Sequence, residues 1–121
     1  MIYISYFANI KKIPEGIEVV GICYKVPEWL KGKDGKGIRN LTDLAPTGQM
    51  VRLYKRGEID WNTYVYMYYR DVVSQLDFED VIQQFGTQDV CLCCYEVNGQ
   101  KCHRYLVADW LRSKGVEVRE L

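Results

Sequence analysis

The sequence feature that most constrains the fold is an unbroken apolar run, Val90-Cys91-Leu92-Cys93-Cys94. A run of this kind is typical of a strand that is covered on both faces, as in a parallel sheet. A polar loop follows over 96–101, then an amphipathic helix over about 102–114 and a last strand over 116–120. Because strand, loop, helix and strand make one βαβ unit, the sequence predicts an α/β fold with a mainly parallel sheet flanked by helices.

Apolar periodicity and capping residues place the other elements. Strands are predicted over 2–7 and 17–23, and the nine residues between them form either a very short helix or a loop. Each of three predicted helices begins after a capping side chain: Thr47 before a helix over about 48–57, Asp60 before one over 61–76, and Asp77 before one that Gly86 ends. No linker or internal repeat is visible in the sequence, so we expect residues 1–121 to form a single domain.

Composition and charge argue against several classes of protein. Sixteen basic and sixteen acidic side chains give a formal net charge of zero, whereas an extended nucleic-acid surface usually has a basic surplus. No apolar run approaches the roughly 18 residues that span a bilayer, and no secretory signal peptide is visible. We therefore expect a cytoplasmic protein. Its five cysteines, an odd number with three in one predicted strand, are expected to be free thiols: Cys23, Cys91, Cys93, Cys94 and Cys102.

The residues best suited to chemistry lie on both sides of the polar loop. In open α/β sheets, ligands bind beyond the carboxyl ends of the strands, where loops lead into helices. Cys94 and Glu96 lie at such a strand end, and Cys102, His103 and Arg104 lie in the first turn of the next helix. The unpaired amides of that turn, together with a guanidinium, are suited to an anion such as a phosphate or a carboxylate. The same positive potential favours a thiolate at Cys102.

Three kinds of chemistry are open to this group. Phosphate or nucleotide binding would use Arg104 and the helix amides, while Glu96 bonds a sugar hydroxyl or acts as acid/base and His103 is a secondary proton donor. Thiol chemistry would use Cys102 or Cys94 as nucleophile. A metal could recruit both cysteines, Glu96 and His103, but the Cys-x-x-Cys pair of structural zinc sites is lacking, so no metal and no cofactor is predicted. In a purely structural alternative, Cys94 is a buried small side chain and Glu96 pairs with Arg104.

Other residues are weaker candidates for ligand contact, and each has an ordinary structural alternative. Ser5 ends the first strand, Lys25 precedes a lysine-rich loop that could cover an anion, and Trp29 could form a pocket wall. Tyr64 and Tyr68 are one turn apart on a predicted helix and could stack on a base, although tyrosines at this spacing more often pack in the core. The last candidate is Tyr95, which lies between Cys94 and Glu96.

The segment from Cys94 to Leu111, in which Cys-x-Glu ends a strand and Cys-His-Arg opens a helix, resembles the signature of the bacterial and phage family called domain of unknown function 488. The segments 4–8 and 22–29 are also similar to that family. The resemblance implies a compact Rossmann-like fold with the motif residues around one pocket, and it implies no activity. The chain departs from many members in its shortened first connection and in Lys25, which stands where they have a basic Asp-x-Arg segment.

The sequence therefore predicts a small Rossmann-like domain that binds an anionic, nucleotide-derived small molecule at the Cys94-x-Glu96 and Cys102-His103-Arg104 segments, with turnover left open. One alternative is a ligand-sequestering or sensing module without turnover, of the kind that phages encode. A second is a thiol-based redox protein. No membrane partner and no extended nucleic-acid contact are expected, and the neutral charge and many aromatic residues leave room for a homodimer.

Overall fold

A computed structural model describes residues 1–96 and 99–121. Its centre is a four-stranded sheet in which every pair of neighbours is parallel, with the strand order β2-β3-β1-β4. The α-helices cover one face, and a 3-10 helix with loop residues covers the other, so the predicted α/β fold with a Rossmann-like parallel sheet is confirmed. The strands are β1 (Ile2–Tyr6), β2 (Ile17–Gly21), β3 (Asp89–Cys94) and β4 (Val118–Glu120).

The two central strands explain the unbroken apolar run in the sequence. In β3, Val90 and Leu92 face one core cluster, whereas Cys91 and Cys93 face a second cluster on the opposite side of the sheet. Side chains alternate between the faces of a strand, so a strand covered on both sides must be apolar at every position. From Val90 to Cys94 each side chain is buried, which confirms the predicted two-sided strand.

Four α-helices in the described residues pack their buried side chains into the core cluster on one face of the sheet, and three of them begin at the predicted capping side chains. Thr47 accepts from the Met50 amide at 3.2 Å, Asp60 from the Thr63 amide at 2.8 Å, and Asp77 from the Asp80 amide at 3.2 Å. These bonds each satisfy an amide that the first turn of a helix would otherwise leave unpaired. The helices are α1 (Gly48–Lys55), α2 (Trp61–Asp71), α3 (Phe78–Phe85) and α4 (His103–Ser113).

The connection between β1 and β2 completes the sequence prediction, and the end of α2 differs from it. The segment between β1 and β2 contains a 3-10 helix, Phe7–Lys12, which decides between the two alternatives that the sequence left open. Helix α2 ends at Asp71 rather than near residue 76, because Val72 is its C-cap and a 3-10 turn, Val73–Gln75, follows. No helix within residues 1–96 and 99–121 is long and apolar enough to cross a membrane.

The topology creates one favoured place for a ligand. The connection after β1 leads to β2 on one side of the central pair, and the connection after β3 leads through α4 to β4 on the other side. Because all four strands are parallel, their carboxyl ends lie at one edge of the sheet, which is the edge where open α/β sheets bind ligands.

Candidate functional site

A cavity of about 680 Å³ lies beyond the carboxyl ends of β2 and β3, beside the first turns of α1, α2 and α4. Volumes of roughly 300–1,000 Å³ are usual for small-molecule sites. Helix α4 brings Cys102 and His103 to this cavity, and the end of β3 brings Cys94 to it. The structure thus brings together these predicted site residues: Lys25, Tyr64, Cys94, Tyr95, Glu96, Cys102 and His103.

Four predicted residues do not line the cavity: Ser5, Trp29, Tyr68 and Arg104. Ser5 is in register with Cys93, so its side chain points to the opposite face of the sheet, where its hydroxyl donates to the Leu121 carbonyl at 3.2 Å. Tyr68 is fully buried one turn beyond Tyr64, and its hydroxyl donates to the Leu44 carbonyl at 2.7 Å. Trp29 is 78% exposed and does not line the cavity. The positions of Ser5, Tyr68 and Trp29 therefore do not favour contact with a ligand in this cavity.

Cys94 and Cys102 are joined as a disulfide, and both lie in the cavity lining. The prediction of five free thiols is wrong for this pair and confirmed for Cys23, Cys91 and Cys93. The sequence did not reveal the contact because the two cysteines belong to different elements, which only the loop between β3 and α4 brings face to face. Their Cα atoms are 7.8 Å apart.

Arg104 is fully buried and lies below the cavity rather than in its lining. Its guanidinium donates to Cys94 Sγ at 3.0 Å, to the Glu96 carbonyl, and to the Tyr105 hydroxyl at 3.2 Å. The guanidinium carbon also lies 4.7 Å from the centre of the Tyr105 ring and 6.0 Å from that of Tyr6, within the range of cation–π attraction. The side chain that was expected to meet an anion in the cavity thus holds the strand end and the loop together.

His103 is buried, and one ring nitrogen is bonded to the backbone. Its Nε2 contacts the Ile22 carbonyl, which can only accept, so Nε2 carries the proton and Nδ1 keeps a lone pair. Nδ1 lies 3.8 Å from Cys102 Sγ. Burial lowers the pKa of the imidazole, although the Ile22 carbonyl and the Glu96 charge oppose this. In this state His103 accepts a proton at Nδ1, so the predicted role of proton donor is not favoured.

The lining also contains cationic side chains that the sequence motifs did not indicate. Arg52 and Lys55 come from α1, and Lys101 comes from the loop before α4; together with Lys25 they line the same cavity as the half-buried Glu96. Gly48, the first residue of α1, lies under Arg52: a β-carbon at this position would be 2.9 Å from Arg52 Nη1. No motif links α1 to the Cys-His-Arg segment, so only the tertiary structure shows that they share a cavity.

Aromatic rings form one wall of the cavity. Trp61 and Tyr64 stack with their centres 4.8 Å apart and their planes at 15°, and Tyr54 packs against both. Tyr64 was predicted, whereas Tyr54 and Trp61 were not. The Tyr95 hydroxyl donates to the Lys25 carbonyl at 2.7 Å and so holds the segment after β2 beside the cavity.

The fold and the cavity define a small Rossmann-like α/β domain with a ligand-sized cleft at the carboxyl end of its parallel sheet. The chain matches the family model described as the active DUF488-N3 subclade over residues 2–115. It therefore belongs to the DUF488 family, and the family resemblance inferred from the sequence is confirmed. Neither a search of curated proteins nor a search of solved structures gave a match.

Proposed function

We propose that the cavity binds an anionic, nucleotide-derived small molecule. The observation that carries this proposal is the charge of the lining. Four cationic side chains, Lys25, Arg52, Lys55 and Lys101, face the cavity with one carboxylate, Glu96, among the described residues that line it. His103 adds no charge at neutral pH, because burial lowers the pKa of its ring. A concave site with a local excess of cations concentrates anions, even on a chain whose net charge is zero.

The first turns of two helices strengthen this argument. Gly48 opens α1 and His103 opens α4, and both residues line the cavity. The amides at the start of a helix carry partial positive charge, which disfavours a nearby cation and favours an anion. Arg52 nevertheless lies over the start of α1. A bound phosphate would be attracted by both the guanidinium and the helix amides, and would offset their mutual repulsion.

The aromatic wall supports a ligand with a planar group. The Trp61, Tyr54 and Tyr64 rings lie on the same cavity as Lys55 and Arg52. Stacking on an aromatic side chain is worth about 1–3 kcal/mol per base. A phosphate near the helix starts and a base near this wall would together use the charge and the apolar surface of the cleft. A simple inorganic anion would use only the charge.

Turnover of the ligand is a separate part of the proposal. Glu96 is the favoured acid/base, because it is the one carboxylate among the described lining residues. When the disulfide is reduced, the Cys102 thiol has a proton acceptor beside it in His103 Nδ1. The description of the matched subclade as active favours an enzyme. A module that sequesters or senses the ligand without changing it is the alternative.

Thiol-based redox chemistry is a second candidate function, and the contact between Cys94 and Cys102 specifically favours it. In this alternative the pair would be reduced to a dithiol as a partner dithiol is oxidised to its disulfide, and would be re-oxidised as a partner disulfide is reduced. Iodoacetamide labelling of the reduced protein at pH 6 tests it, because a reactive Cys102 must be labelled there as a thiolate. An unlabelled Cys102 would remove this candidate.

Binding can be measured by calorimetry on the tag-free chain with adenosine monophosphate, adenosine and inorganic phosphate, in the presence of a metal chelator. We expect adenosine monophosphate to bind more tightly than either fragment. Arg52→Ala and Lys101→Ala should each weaken it by about fivefold, the effect of losing roughly 1 kcal/mol. Lys114→Ala, at the end of α4 and outside the cavity, is the matched control. Equal affinities for the nucleotide and the uncharged nucleoside would contradict the proposal.

Incubation with a mixture of nucleotides followed by mass spectrometry separates enzyme from binder. An altered nucleotide that disappears with Glu96→Gln indicates turnover that depends on this carboxylate. An unchanged nucleotide that remains bound to the chain indicates the sequestering or sensing alternative. Because both outcomes require binding, a chain that retains no nucleotide at all would count against the whole proposal.

A further inference from the structure

We propose that Cys94, Cys102 and His103, with both cysteines reduced, form a three-ligand site for Zn²⁺ that is open to the cavity. The two sulfurs and a ring nitrogen all lie within 4.8 Å of one another, and all three residues are buried. The inference does not depend on the proposed nucleotide binding, because it concerns which ion these three side chains hold. Sulfur and imidazole nitrogen are the ligands that zinc prefers.

The imidazole of His103 is already oriented as a metal ligand. A histidine that binds a metal through one nitrogen usually donates its other N–H to a backbone carbonyl or a carboxylate, which fixes the ring. Here Nε2 is bonded to the Ile22 carbonyl, and Nδ1 is directed toward Cys102 Sγ at 3.8 Å. The unprotonated nitrogen is thus the one that faces the sulfurs.

The surroundings of the sulfurs also fit a pair of thiolates. Arg104 donates to Cys94 Sγ at 3.0 Å from a fully buried position, and hydrogen bonds of this kind commonly support ligands from outside the metal shell. Cys102 occupies the N-cap position of α4, where the helix amides stabilise negative charge. Each sulfur therefore has its own source of positive potential.

The backbone spacing is compatible with two sulfurs that converge on an ion once the disulfide is reduced. The Cα atoms of Cys94 and Cys102 are 7.8 Å apart. Two thiolates on one zinc ion keep their sulfurs roughly 3.7 Å apart, given Zn–S bonds of about 2.3 Å in tetrahedral geometry. A separation of 7.8 Å between the Cα atoms accommodates that arrangement.

The missing Cys-x-x-Cys pair argues only against a closed four-ligand site. Catalytic zinc sites keep three protein ligands and leave the fourth position for water or substrate, and two cysteines with one histidine are a known set. All three side chains line the cavity, so the fourth position would face the ligand space beside Glu96. A zinc ion there would supply a Lewis acid to a molecule bound in the cavity.

Cobalt serves as the spectroscopic probe for this site. The tag-free chain is reduced with a phosphine and titrated with Co²⁺ under anaerobic conditions. We expect one equivalent to produce a thiolate-to-cobalt charge-transfer band, which Zn²⁺ then abolishes by displacement. A pH indicator should record release of about two protons per metal ion, one from each thiol, because only the thiolate binds.

Cys102→Ser is the most informative variant, because serine is a preferred N-cap residue and the helix should form at least as well. It should weaken Co²⁺ binding at least about 100-fold, since changes merely to outer-shell partners cost 10- to 100-fold. Cys91→Ala, which removes a buried cysteine on the opposite face of the sheet, should leave the band unchanged. Circular dichroism checks that both variants are folded.

Three results would overturn the proposal. The reduced wild-type chain would give no charge-transfer band, or Cys102→Ser would retain the full band, or the two cysteines would re-form their disulfide in the presence of excess Zn²⁺. The last result would support the redox function instead. Nucleotide binding is measured with a chelator present, so failure of the metal site and failure of the nucleotide site can be told apart.

Discussion

Replacing Arg104 by methionine tests the least expected feature of the site, a guanidinium that supports the cavity from below. Methionine retains most of the apolar stem and fills the space between the Tyr6 and Tyr105 rings, but it donates no hydrogen bond. If Arg104 holds the end of β3 and the following loop together, the free protein loses stability. If Arg104 instead serves only to bind an anion, the substitution weakens ligand binding and leaves the stability of the free protein unchanged.

The magnitude follows from the bonds that the guanidinium makes. It donates to Cys94 Sγ, the Glu96 carbonyl and the Tyr105 hydroxyl. Hydrogen bonds from a charged group contribute about 1.5–3 kcal/mol each, but they are not additive. Removing the charge also removes the free-energy cost of burying it. The net loss in the free energy of unfolding should therefore be about 3 kcal/mol, which is the low end of the range for breaking a buried charged contact. That loss corresponds to a melting temperature lower by about 10 °C.

Urea unfolding of the wild type and of Arg104→Met, followed by circular dichroism without ligand, measures this loss directly. Arg112→Met is the control, because it removes the same charge from the same helix at a side chain that is 47% exposed. Arg112 donates to Val118 O at 2.8 Å and to Asp109 at 3.4 Å, and its loss should cost less than about 1 kcal/mol. If Arg104→Met and Arg112→Met lower the free energy of unfolding equally, the supporting role is refuted.

Other predictions concern the elements that position the cavity. Thr47→Ala removes the acceptor for the Met50 amide at the start of α1 and should lower the free energy of unfolding by about 1 kcal/mol. Thr47→Ser keeps an acceptor and should not lower it. Equal urea midpoints for the two variants would contradict this prediction. Gly21→Ala should cost about 1–3 kcal/mol in the same assay, because the new β-carbon would lie 2.6 Å from both Asn40 Oδ1 and Val26 Cγ2, and an unchanged midpoint would show that the end of β2 can widen. Burial raises the pKa of the Cys23 thiol, so this residue stays protonated at pH 7.5 and should react with iodoacetamide only after urea is added; rapid labelling of the native chain would contradict the pKa direction.

The fold prediction was accurate where the sequence pattern of a single helix or strand determines its structure. The strand ending at Cys94 and the helix starting at His103 were predictable, because an unbroken apolar run and an amphipathic repeat each have one dominant structural interpretation. The end of α2 was not, since apolar residues continue past Asp71 while Val72 is the C-cap. Val73 and Leu76 still pack against the core while partly buried, so the apolar pattern continues although the α-helix does not.

The sequence predicted that the motif residues meet at the site, but it did not predict the directions or neighbours of all their side chains. A strand end and a helix start in one βαβ unit meet at the same edge of the sheet, so Cys94 and His103 could be placed together from the sequence. The direction of Arg104 could not, because successive helix positions point about 100° apart and its helical neighbour His103 lines the cavity while Arg104 is directed beneath it.

The charge of the cavity comes largely from outside the Cys-His-Arg motif. Arg52 and Lys55 belong to α1, which packs against α2 and is distant from the motif in the sequence. The cysteines that would carry out chemistry and the α1 side chains that would bind an anion therefore belong to different elements. A substitution can change one of these two properties without changing the other. Arg52→Ala should alter nucleotide affinity and leave the cobalt spectrum intact, while Cys102→Ser should do the reverse. If either variant changed both properties, the separation of the two sites would be wrong.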